Sequence, residues 1–489
     1  MQSSTASNRR AEAWIILPVA ALAAVLSYLL VSRLMFRIGF PLDDSWIHLT
    51  YARNLAEHGE WAFQLGRRSA GSTAPLWTVL LSIGFLLKLA PYVWTYFLGW
   101  AVLSLMAVYG ESLARQMLPE YRSRIPWVGL FLIFAWHLTW SAVSGMETLL
   151  HGLIILVVLG QLIRGSRLYL TLGVLAGLSI WVRPDGLTLL GPILFVAWFQ
   201  ETSWRSRFEA MGEVLLGFGS LVFPYLFFNL ALSGSPMPNT FYAKQAEYET
   251  YWLSKNLLER IGEYSLPVIA SPFVVLLPGA ILWLWGSIRA QNWGALAGLI
   301  WCMGYIAIYV ARLPAYQHGR YIIPAFPVLY VWGTLGLLQL TSSATINKYL
   351  ASFWRVTTVF LTIAFTFVGA RQNALDVFLI ETEMVRTAEW VEQHLPSSAR
   401  LAVHDIGALG FYAPNPLIDL AGLTSPEVVP FIRDEERLAQ YLDENSVDYL
   451  ITFPSFYPQL TAGREPIFEA GIDNPLVDFG EHIQVFRWR

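Results

Sequence analysis

Long apolar segments recur through the first three quarters of the chain, and each carries very few charged side chains. Of the 489 residues, 55% are hydrophobic and 14% are charged, well below the ~25% charged residues of soluble domains. Apolar segments of about 20 residues match the thickness of a bilayer core. The sequence therefore predicts an α-helical integral membrane protein with about eleven spans. The predicted spans are 14–32, 92–110, 126–143, 147–163, 167–182, 186–200, 211–232, 266–287, 293–311, 321–341 and 350–370.

The character of the sequence changes after residue 370. From Arg371 onward there are 19 of the 35 acidic residues but only 8 of the 32 Lys and Arg residues. Short strand patterns alternate there with helical ones, which favours a small α/β domain. We expect a transmembrane catalytic domain over 1–370 and a soluble extracytoplasmic α/β domain over 371–489. Strands are predicted at 401–404, 417–420, 447–452 and 483–488, and helices at 381–394 and 426–444.

The distribution of basic residues sets the predicted orientation. Arg9 and Arg10 precede the first span, which places the N-terminus in the cytoplasm and the polar loop 36–90 outside. Within that loop, Pro75–Leu87 is too short to span a bilayer. If it is instead a re-entrant or interfacial helix, the arginine-rich loop 111–124 stays inside. An odd number of spans then puts the C-terminal domain on the outer side, with the loop's first helix lying along the membrane surface.

The polar motifs of the membrane part all fall on the outer side in this orientation. A transporter would be expected to bury ionisable groups near the middle of the bilayer. Here the spans are nearly free of charge, so an enzyme acting at one membrane face fits better. The motifs are Asp43-Asp44, Gly145-Met-Glu147, Arg183-Pro-Asp185, Pro238-Asn-Thr-Phe-Tyr-Ala-Lys244 and His318-Gly-Arg320-Tyr321.

The motifs also occur in the order found in a known family. Asp43-Asp44, six residues and then Tyr-Ala-Arg-Asn-Leu-Ala are followed by Gly71-Ser-Thr-Ala-Pro-Leu-Trp-Thr. Gly145-Met-Glu-Thr, Arg183-Pro-Asp-Gly, Pro238–Lys244, Gly319-Arg-Tyr-Ile-Ile-Pro, His404-Asp-Ile-Gly-Ala-Leu-Gly and Asp419-Leu-Ala-Gly-Leu come after them. Together they resemble the bacterial GT-C glycosyltransferases, and most of all the terminal β-(1→2) arabinofuranosyltransferase (AftB-like) branch.

The resemblance implies a definite activity and location. A single sugar, arabinofuranosyl or similar, would pass from a polyprenyl-monophosphate donor to a cell-envelope glycan or glycolipid. The protein would be a multi-pass protein of the bacterial inner membrane, with its active site on the periplasmic face. Its partners would be the lipid donor, the glycan acceptor and the bilayer, and the net charge of −3 gives no indication of nucleic acid.

Such a transfer needs a general base for the acceptor hydroxyl. A carboxylate with a reference pKa near 3.9 is available for this at neutral pH. Neighbours on a helix point about 100° apart, so Asp43 and Asp44 are not expected to share one role. We expect Asp44, which is in phase with His48, to be the base and Asp43 to be its electrostatic or metal-binding neighbour. The reverse order stays open, as does simple capping of a helix that begins at Ser45.

The leaving phosphate needs cationic or N–H donors at the membrane surface. The predicted phosphate-binding residues share an outward position in the motifs. They are Arg320, Lys244, Arg183 and His318. Each has a simpler alternative, since long basic side chains at helix ends extend toward water without binding anything. For Arg183, pairing with the nearby Asp185 is an equally good explanation.

Other polar residues of the motifs suit the acceptor or the sugar. They are His48, Glu147, Asn239, Tyr242 and Asp405. The alternatives are structural: an acid at a helix N-terminus for Glu147, an ordinary loop for Asn239 and Tyr242, and a strand-to-turn cap for Asp405.

Cofactors and rival functions complete the predictions. Asp43, Asp44 and Glu147 offer oxygen ligands that suit Mg²⁺ or Ca²⁺, whereas no His or Cys cluster has the spacing of a zinc site. The single Cys302 excludes an internal disulfide. Two other functions compete with the transferase: a polysaccharide ligase or polymerase that uses a diphosphate-linked donor, and a lipid or solute transporter.

Overall fold

The computed structural model describes residues 2–342, 346–472 and 480–489. Helices dominate it from the first described residue to residue 394. In the first half they are α1 Gln2–Met35, α2 Asp44–His58, α3 Pro75–Leu86, α4 Pro91–Met117, α5 Trp127–Ile133, α6 Trp136–Val143, α7 Thr148–Ile163, α8 Tyr169–Val182, α9 Leu190–Gln200 and α10 Trp204–Ser233. The next are α11 Asn239–Glu247, α12 Glu249–Ser254, α13 Leu257–Ile269, α14 Phe273–Arg289, α15 Trp293–Arg312, α16 Tyr316–Gly319, α17 Phe326–Ser342, α18 Lys348–Ile380 and α19 Arg386–His394. Short 3₁₀ segments precede α9 and α17, at Pro184–Leu189 and Ile323–Ala325.

The multi-pass helical fold predicted from the apolar segments is confirmed. By length and composition, six helices of the described part can cross a membrane, or seven if α13 and α14, which meet at 99°, form one bent span. Helices α3, α7 and α8 are apolar but shorter. The predicted spans lie largely in helices, but 126–143 is split into α5 and α6, and 266–287 is interrupted between α13 and α14. Spans 186–200 and 321–341 each include a 3₁₀ segment near the start.

Glycines bring pairs of membrane helices into backbone contact. A Cβ atom on Gly279 of α14 would lie 2.7 Å from the carbonyl oxygen of Gly333 and 2.9 Å from the backbone nitrogen of Leu337, both on α17. Gly173 of α8 faces the backbone of Val214 on α10 in the same way. In a bilayer, apolar side chains gain little by leaving lipid, so close packing of small residues holds helices together.

The loop between α1 and α4 is folded rather than extended along the bilayer. Helix α2 is largely buried and packs on α3, while strands β1 (Ala62–Gln64) and β2 (Arg67–Arg68) form a small antiparallel hairpin. Helix α3 covers nearly the whole of the segment predicted to be re-entrant or interfacial, and its 12 residues are too few to cross a bilayer. The loop is therefore a structural layer beneath the C-terminal domain.

A five-stranded sheet forms the centre of the C-terminal domain. The strands are β3 Leu401–Val403, β4 Leu417–Asp419, β5 Tyr449–Thr452, β6 Pro466–Glu469 and β7 Gln484–Arg487. Their order is β4-β3-β5-β7-β6, with β3 parallel to β4 and β5, and β7 antiparallel to β5 and β6. Four strands match the predicted ones, whereas β6 was not predicted.

Helices flank this sheet and connect it to the membrane part. They include α20 Gly407–Tyr412, α21 Glu435–Glu444 and α22 Pro458–Thr461, with 3₁₀ segments at Pro426–Phe431 and Pro454–Phe456. Helix α18 runs past residue 371 and continues through a π-helical turn, Glu381–Val385, into α19. One helical element thus leads from the membrane part into the domain, so the division at residue 371 stays a prediction.

Candidate active site

A cavity of about 380 Å³ lies where the polar motifs meet. It is bounded by α2, the turns before α7 and after α8, helix α11, and the turn before α17. Six of the eleven predicted site residues line it: Asp44, His48, Glu147, Arg183, Lys244 and Arg320. They come from five separate parts of the chain, and the fold brings them to one place.

Asp44 and Arg320 form an ion pair in the lining of the cavity. Oδ2 of Asp44 lies 2.6 Å from a guanidinium nitrogen of Arg320, and a third of the Asp44 side chain is exposed. The Tyr321 hydroxyl accepts hydrogen bonds from both Arg320 (3.3 Å) and Lys244 (3.1 Å). Burial alone would raise the pKa of Asp44, but the charges of Arg320 and Lys244 outweigh burial and hold it well below its usual range. Asp44 is therefore ionised at neutral pH.

A second polar network lines the opposite wall. Nε2 of His48 lies 3.3 Å from Glu147, whose other carboxylate oxygen accepts a hydrogen bond from Arg183 at 3.1 Å. Arg183 also donates to Asp185 at 3.1 Å. The other ring nitrogen of His48 lies 3.2 Å from the Ser72 hydroxyl. Both nitrogens of His48 thus have partners. Of the three carboxylates that line the cavity, Asp44 is the most exposed, with 33% of its side chain accessible against 15% for Asp185 and 2% for Glu147.

Asp43 points away from the cavity. Its Oδ2 accepts a hydrogen bond from the backbone N–H of Gly407 (2.7 Å), and its Oδ1 accepts one from Ala408 (2.8 Å). Burial and the neighbouring Asp405 raise the pKa of Asp43 to about 7, although the two N–H donors act in the opposite direction. The two adjacent aspartates therefore have different surroundings, as their 100° separation on a helix predicts.

His318 does not line the cavity. Its Nε2 lies 2.7 Å from Oδ2 of Asp376 on α18, and the same oxygen accepts a hydrogen bond from the indole of Trp140 at 2.9 Å. The imidazole ring also contacts Trp136 edge-on. His318 thus lies behind Arg320, on the side of α18.

The remaining predicted residues surround the cavity without lining it. Asn239 begins α11, is buried, and donates its backbone N–H to Ala70. Tyr242 is exposed, and its neighbour Phe241 lines the cavity instead. Asp405 follows β3, and burial together with Asp44 and Glu247 raises its pKa to about 7.

Among the cavity residues that were not predicted, three are of most interest for the chemistry of the site: Tyr309, Arg312 and Tyr321. Tyr309 of α15 donates a hydrogen bond to Asp185, and its ring stacks on Tyr321 at 5.3 Å between centroids. Arg312, at the end of α15, is an exposed cation at the cavity edge. Tyr321 lies within the His318–Tyr321 motif, which was a usable signal, whereas Tyr309 and Arg312 look like ordinary residues at the end of a span.

The three metal-ligand candidates do not converge. Asp43 accepts from two backbone N–H groups, Asp44 pairs with Arg320, and Glu147 pairs with Arg183 and His48. Within the described residues, no group of three or more His, Cys, Asp or Glu side chains is arranged to hold a metal ion. The carboxylates of this site thus fit N–H and cationic partners rather than Mg²⁺ or Ca²⁺.

Comparisons with known proteins place this site in a known fold. The structure is similar to that of ArnT from Cupriavidus metallidurans bound to undecaprenyl phosphate, with a TM-score of 0.61 and 16% sequence identity over 97% of this chain and 98% of that one. The chain has the GT-C fold. The fold is also similar to that of the archaeal oligosaccharyltransferase AglB from Archaeoglobus fulgidus, in complex with an inhibitory peptide and a dolichol-phosphate. That match has a TM-score of 0.50 and 11% identity over 88% of this chain and 69% of that one.

Comparison at the level of sequence gives no information about activity. Residues 374–484, most of the C-terminal domain, match a family described as a domain of unknown function, DUF8728. No curated protein matches the chain.

Proposed function

We propose that the protein is a membrane glycosyltransferase that moves a single sugar from a polyprenyl-monophosphate donor to an envelope glycan or glycolipid. The fold is that of ArnT, whose structure contains undecaprenyl phosphate. An arabinofuranosyl or similar sugar is the donor group that the sequence motifs favour. The proposal includes transfer at the outer face of the bacterial inner membrane.

The balance of charge in the cavity carries the proposal. Four cationic side chains line it against three carboxylates, which leaves a surplus of one positive charge before His48 is counted. The cations are Arg183, Lys244, Arg312 and Arg320, and the carboxylates are Asp44, Glu147 and Asp185. A sugar linked to a polyprenyl monophosphate is a phosphodiester with one negative charge. The cavity thus matches a monophosphate donor better than a diphosphate donor, which carries two.

Lys244 and Arg320 are the proposed ligands of the phosphate. Lys244 has the Tyr321 hydroxyl as a partner and no carboxylate within ion-pair distance among the described residues. Arg320 is shared between Asp44 and Tyr321. Oxygens of the leaving phosphate between these two side chains would meet preorganised positive charge, which is worth most in a site shielded from water. The apolar side of the cavity, with Ile308, Leu313 and Phe241, suits the start of a polyprenyl chain.

The proposed reaction is a direct displacement. The acceptor hydroxyl attacks the anomeric carbon, the new C–O bond forms, and the bond to the phosphate oxygen breaks with its electron pair on the phosphate. Asp44 takes the hydroxyl proton. Binding of the donor phosphate to Arg320 would weaken the Asp44–Arg320 pair, so the pKa of Asp44 would rise toward its usual range as the donor arrives. A single displacement of this kind inverts the anomeric carbon.

The test is an Asp44→Asn variant supplied with lipid-linked sugars in detergent or liposomes. Loss of a general base typically lowers kcat by roughly 10²- to 10⁴-fold, so transfer should be nearly abolished. Binding of polyprenyl phosphate should be retained. Glu209→Gln, on the exposed surface of α10, is the matched control and should behave like the wild type.

The choice of lipid-linked donor distinguishes the proposed transferase from a ligase or polymerase. Monophosphate-linked and diphosphate-linked sugars are supplied separately to the wild-type protein. Transfer from the diphosphate donor alone would contradict the proposal, and so would near-normal transfer by Asp44→Asn. Accumulation of a solute or lipid in vesicles without a new glycosidic bond would identify a transporter instead.

A further inference from the structure

Helix α20 of the C-terminal domain is held at both ends by helix α2. The first two N–H groups of α20 are bound by the carboxylate of Asp43, the residue just before α2. Ten residues along, Arg53 donates to the last carbonyls of α20: one hydrogen bond to Phe411 (2.7 Å) and one to Gly410 (3.3 Å). The carboxyl oxygens of Asp43 thus accept from the N–H end of α20, and the positive charge of Arg53 faces its C=O end, so both ends of the helix have partners for their free backbone groups.

The contact between the two segments is close as well as polar. A Cβ atom on Gly407 would collide with the backbone carbonyl oxygen of Asp43 and lie 2.6 Å from its Oδ2, and one on Gly410 would collide with the ring of Phe63. The indole of Trp46 packs against Phe411 with centroids 4.8 Å apart. The Arg53 guanidinium lies 4.6 Å from the centre of the Phe411 ring. Gly407 cannot gain a side chain without moving the two segments apart, because the nearest facing atom is backbone.

A neighbouring contact fixes the sheet of the domain to the same loop. The side chain of Gln64 donates to the carbonyl of Leu417 (2.7 Å) and accepts from its N–H (3.1 Å). Leu417 begins β4, the edge strand of the sheet. Gln64 therefore pairs with the free edge as a neighbouring strand would.

We propose that the C-terminal domain sets the position of the catalytic base, and that Asp43 is a positioning residue that acts through this contact. The inference rests on the proposed function for the role of Asp44. Both oxygens of Asp43 are used by α20, while Asp44, the next residue, faces the cavity. The contact fixes where α2 begins and hence the direction of Asp44. It also gives a role to part of the domain of unknown function, which includes α20.

The experiment compares the two ends of α20. Asp43→Ala and Arg53→Ala should each increase hydrogen exchange in segment 407–413. Both substitutions should lower kcat by roughly 10- to 100-fold, because displacing a catalytic group by about 1 Å has effects of that size. KM for the donor should change less than kcat. Arg68→Ala, an exposed arginine of β2, is the matched control and should leave exchange and kcat unchanged.

A conservative variant separates positioning from proton transfer. Asp43→Asn keeps an oxygen that accepts a backbone N–H, as asparagine does at helix starts, but it cannot serve as a base. Asp43→Asn should therefore keep more sugar-transfer activity than Asp43→Ala and show slower hydrogen exchange in segment 407–413. By contrast, Asp44→Asn should lose transfer with wild-type exchange.

Three results would overturn the inference. The first is an Asp43→Asn variant as inactive as Asp43→Ala with wild-type exchange in 407–413, which would identify Asp43 as the base. The second is an Arg53→Ala variant with unchanged exchange and kcat. The third is unchanged exchange in Asp43→Ala. Hydrogen exchange can be measured without any sugar donor, so it tests the contact separately from the proposed function. If the wild-type protein transfers no sugar but the variants show the expected exchange, the proposed function is refuted and the contact between α2 and α20 is supported.

Discussion

Three successive residues with left-handed backbone, Gln317, His318 and Gly319, lead directly into Arg320. Their φ values are 51°, 62° and 69°. Only Gly319 adopts this conformation without cost, whereas at each of the other two residues the left-handed backbone costs roughly 1–2 kcal/mol of conformational free energy. The His318–Asp376 pair and the tryptophans around it supply the contacts that hold the turn. His318 is thus best explained as the anchor of the turn that directs Arg320 toward Asp44.

This explanation predicts how His318 and Asp376 respond to substitution. His318→Ala or Asp376→Ala removes the anchor, so Arg320 should lose its orientation. The Kd for polyprenyl phosphate should then rise by roughly 10-fold, corresponding to the roughly 1–2 kcal/mol at stake in the turn. Titration of each variant with polyprenyl phosphate measures this Kd directly.

A control at the preceding residue, Gln317, distinguishes the effect of backbone strain from that of the His318–Asp376 contact. Gln317→Gly fits the left-handed backbone better than glutamine and should leave donor affinity at least as high as in the wild type. An equal loss in Gln317→Gly and His318→Ala would contradict the role given to the His318–Asp376 pair.

At the scale of elements, glycine contacts decide how the membrane helices approach. Helices α14 and α17 touch through Gly279, Gly333 and Gly336, where a side chain on one helix would meet the backbone of the other. Gly286 lies seven residues further along α14 and faces open space. The same helix therefore contains a tightly packed glycine and an unconstrained one.

The two glycines of α14 give a matched pair of variants. Gly279→Leu should destabilise the protein by at least the roughly 1–3 kcal/mol typical of overpacking, because the facing atoms are backbone and cannot turn aside. Gly286→Leu should have little effect. Thermal unfolding in detergent measures both, and equal melting temperatures for the two variants would contradict this packing.

At the scale of the whole molecule, the orientation in the membrane determines which substrates the cavity meets. The arginines that precede the first apolar segment and those in the loop after α4 favour a cytoplasmic N-terminus and an outward C-terminal domain. The only cysteine in the chain, Cys302, is buried, so introduced cysteines can be labelled with little background.

Labelling of intact cells tests the orientation. Glu444 on α21 and Thr202 before α10 are both exposed, and the predicted topology puts them on opposite sides. A membrane-impermeant maleimide should label Glu444→Cys in intact cells and Thr202→Cys only after lysis. The reverse pattern would place the cavity in the cytoplasm and contradict transfer at the outer face.

Much of this architecture follows from local sequence. Apolar segments specify membrane helices because a backbone in lipid has to satisfy its own hydrogen bonds. Strand β5 and helix α21 of the C-terminal domain are likewise predicted from local patterns of side chains. The convergence of Asp44, Glu147, Arg183, Lys244 and Arg320 on one cavity was predicted as a shared membrane face, since motifs at the same ends of successive spans have to lie on the same side.

Other features depend on contacts between distant residues, which no local pattern encodes. The roles of Asp43 and Asp44 differ because α20, more than 360 residues away, supplies N–H donors to one aspartate, while Arg320 supplies a cation to the other. His318 faces Asp376 rather than the cavity because the backbone turns left-handed before Arg320. Local patterns of residues are thus enough to predict a helical membrane protein with its polar residues on one face. Which of the two adjacent aspartates lines the cavity depends on tertiary contacts, because burial and partner charge at each aspartate are set only when the helices and the C-terminal domain pack together.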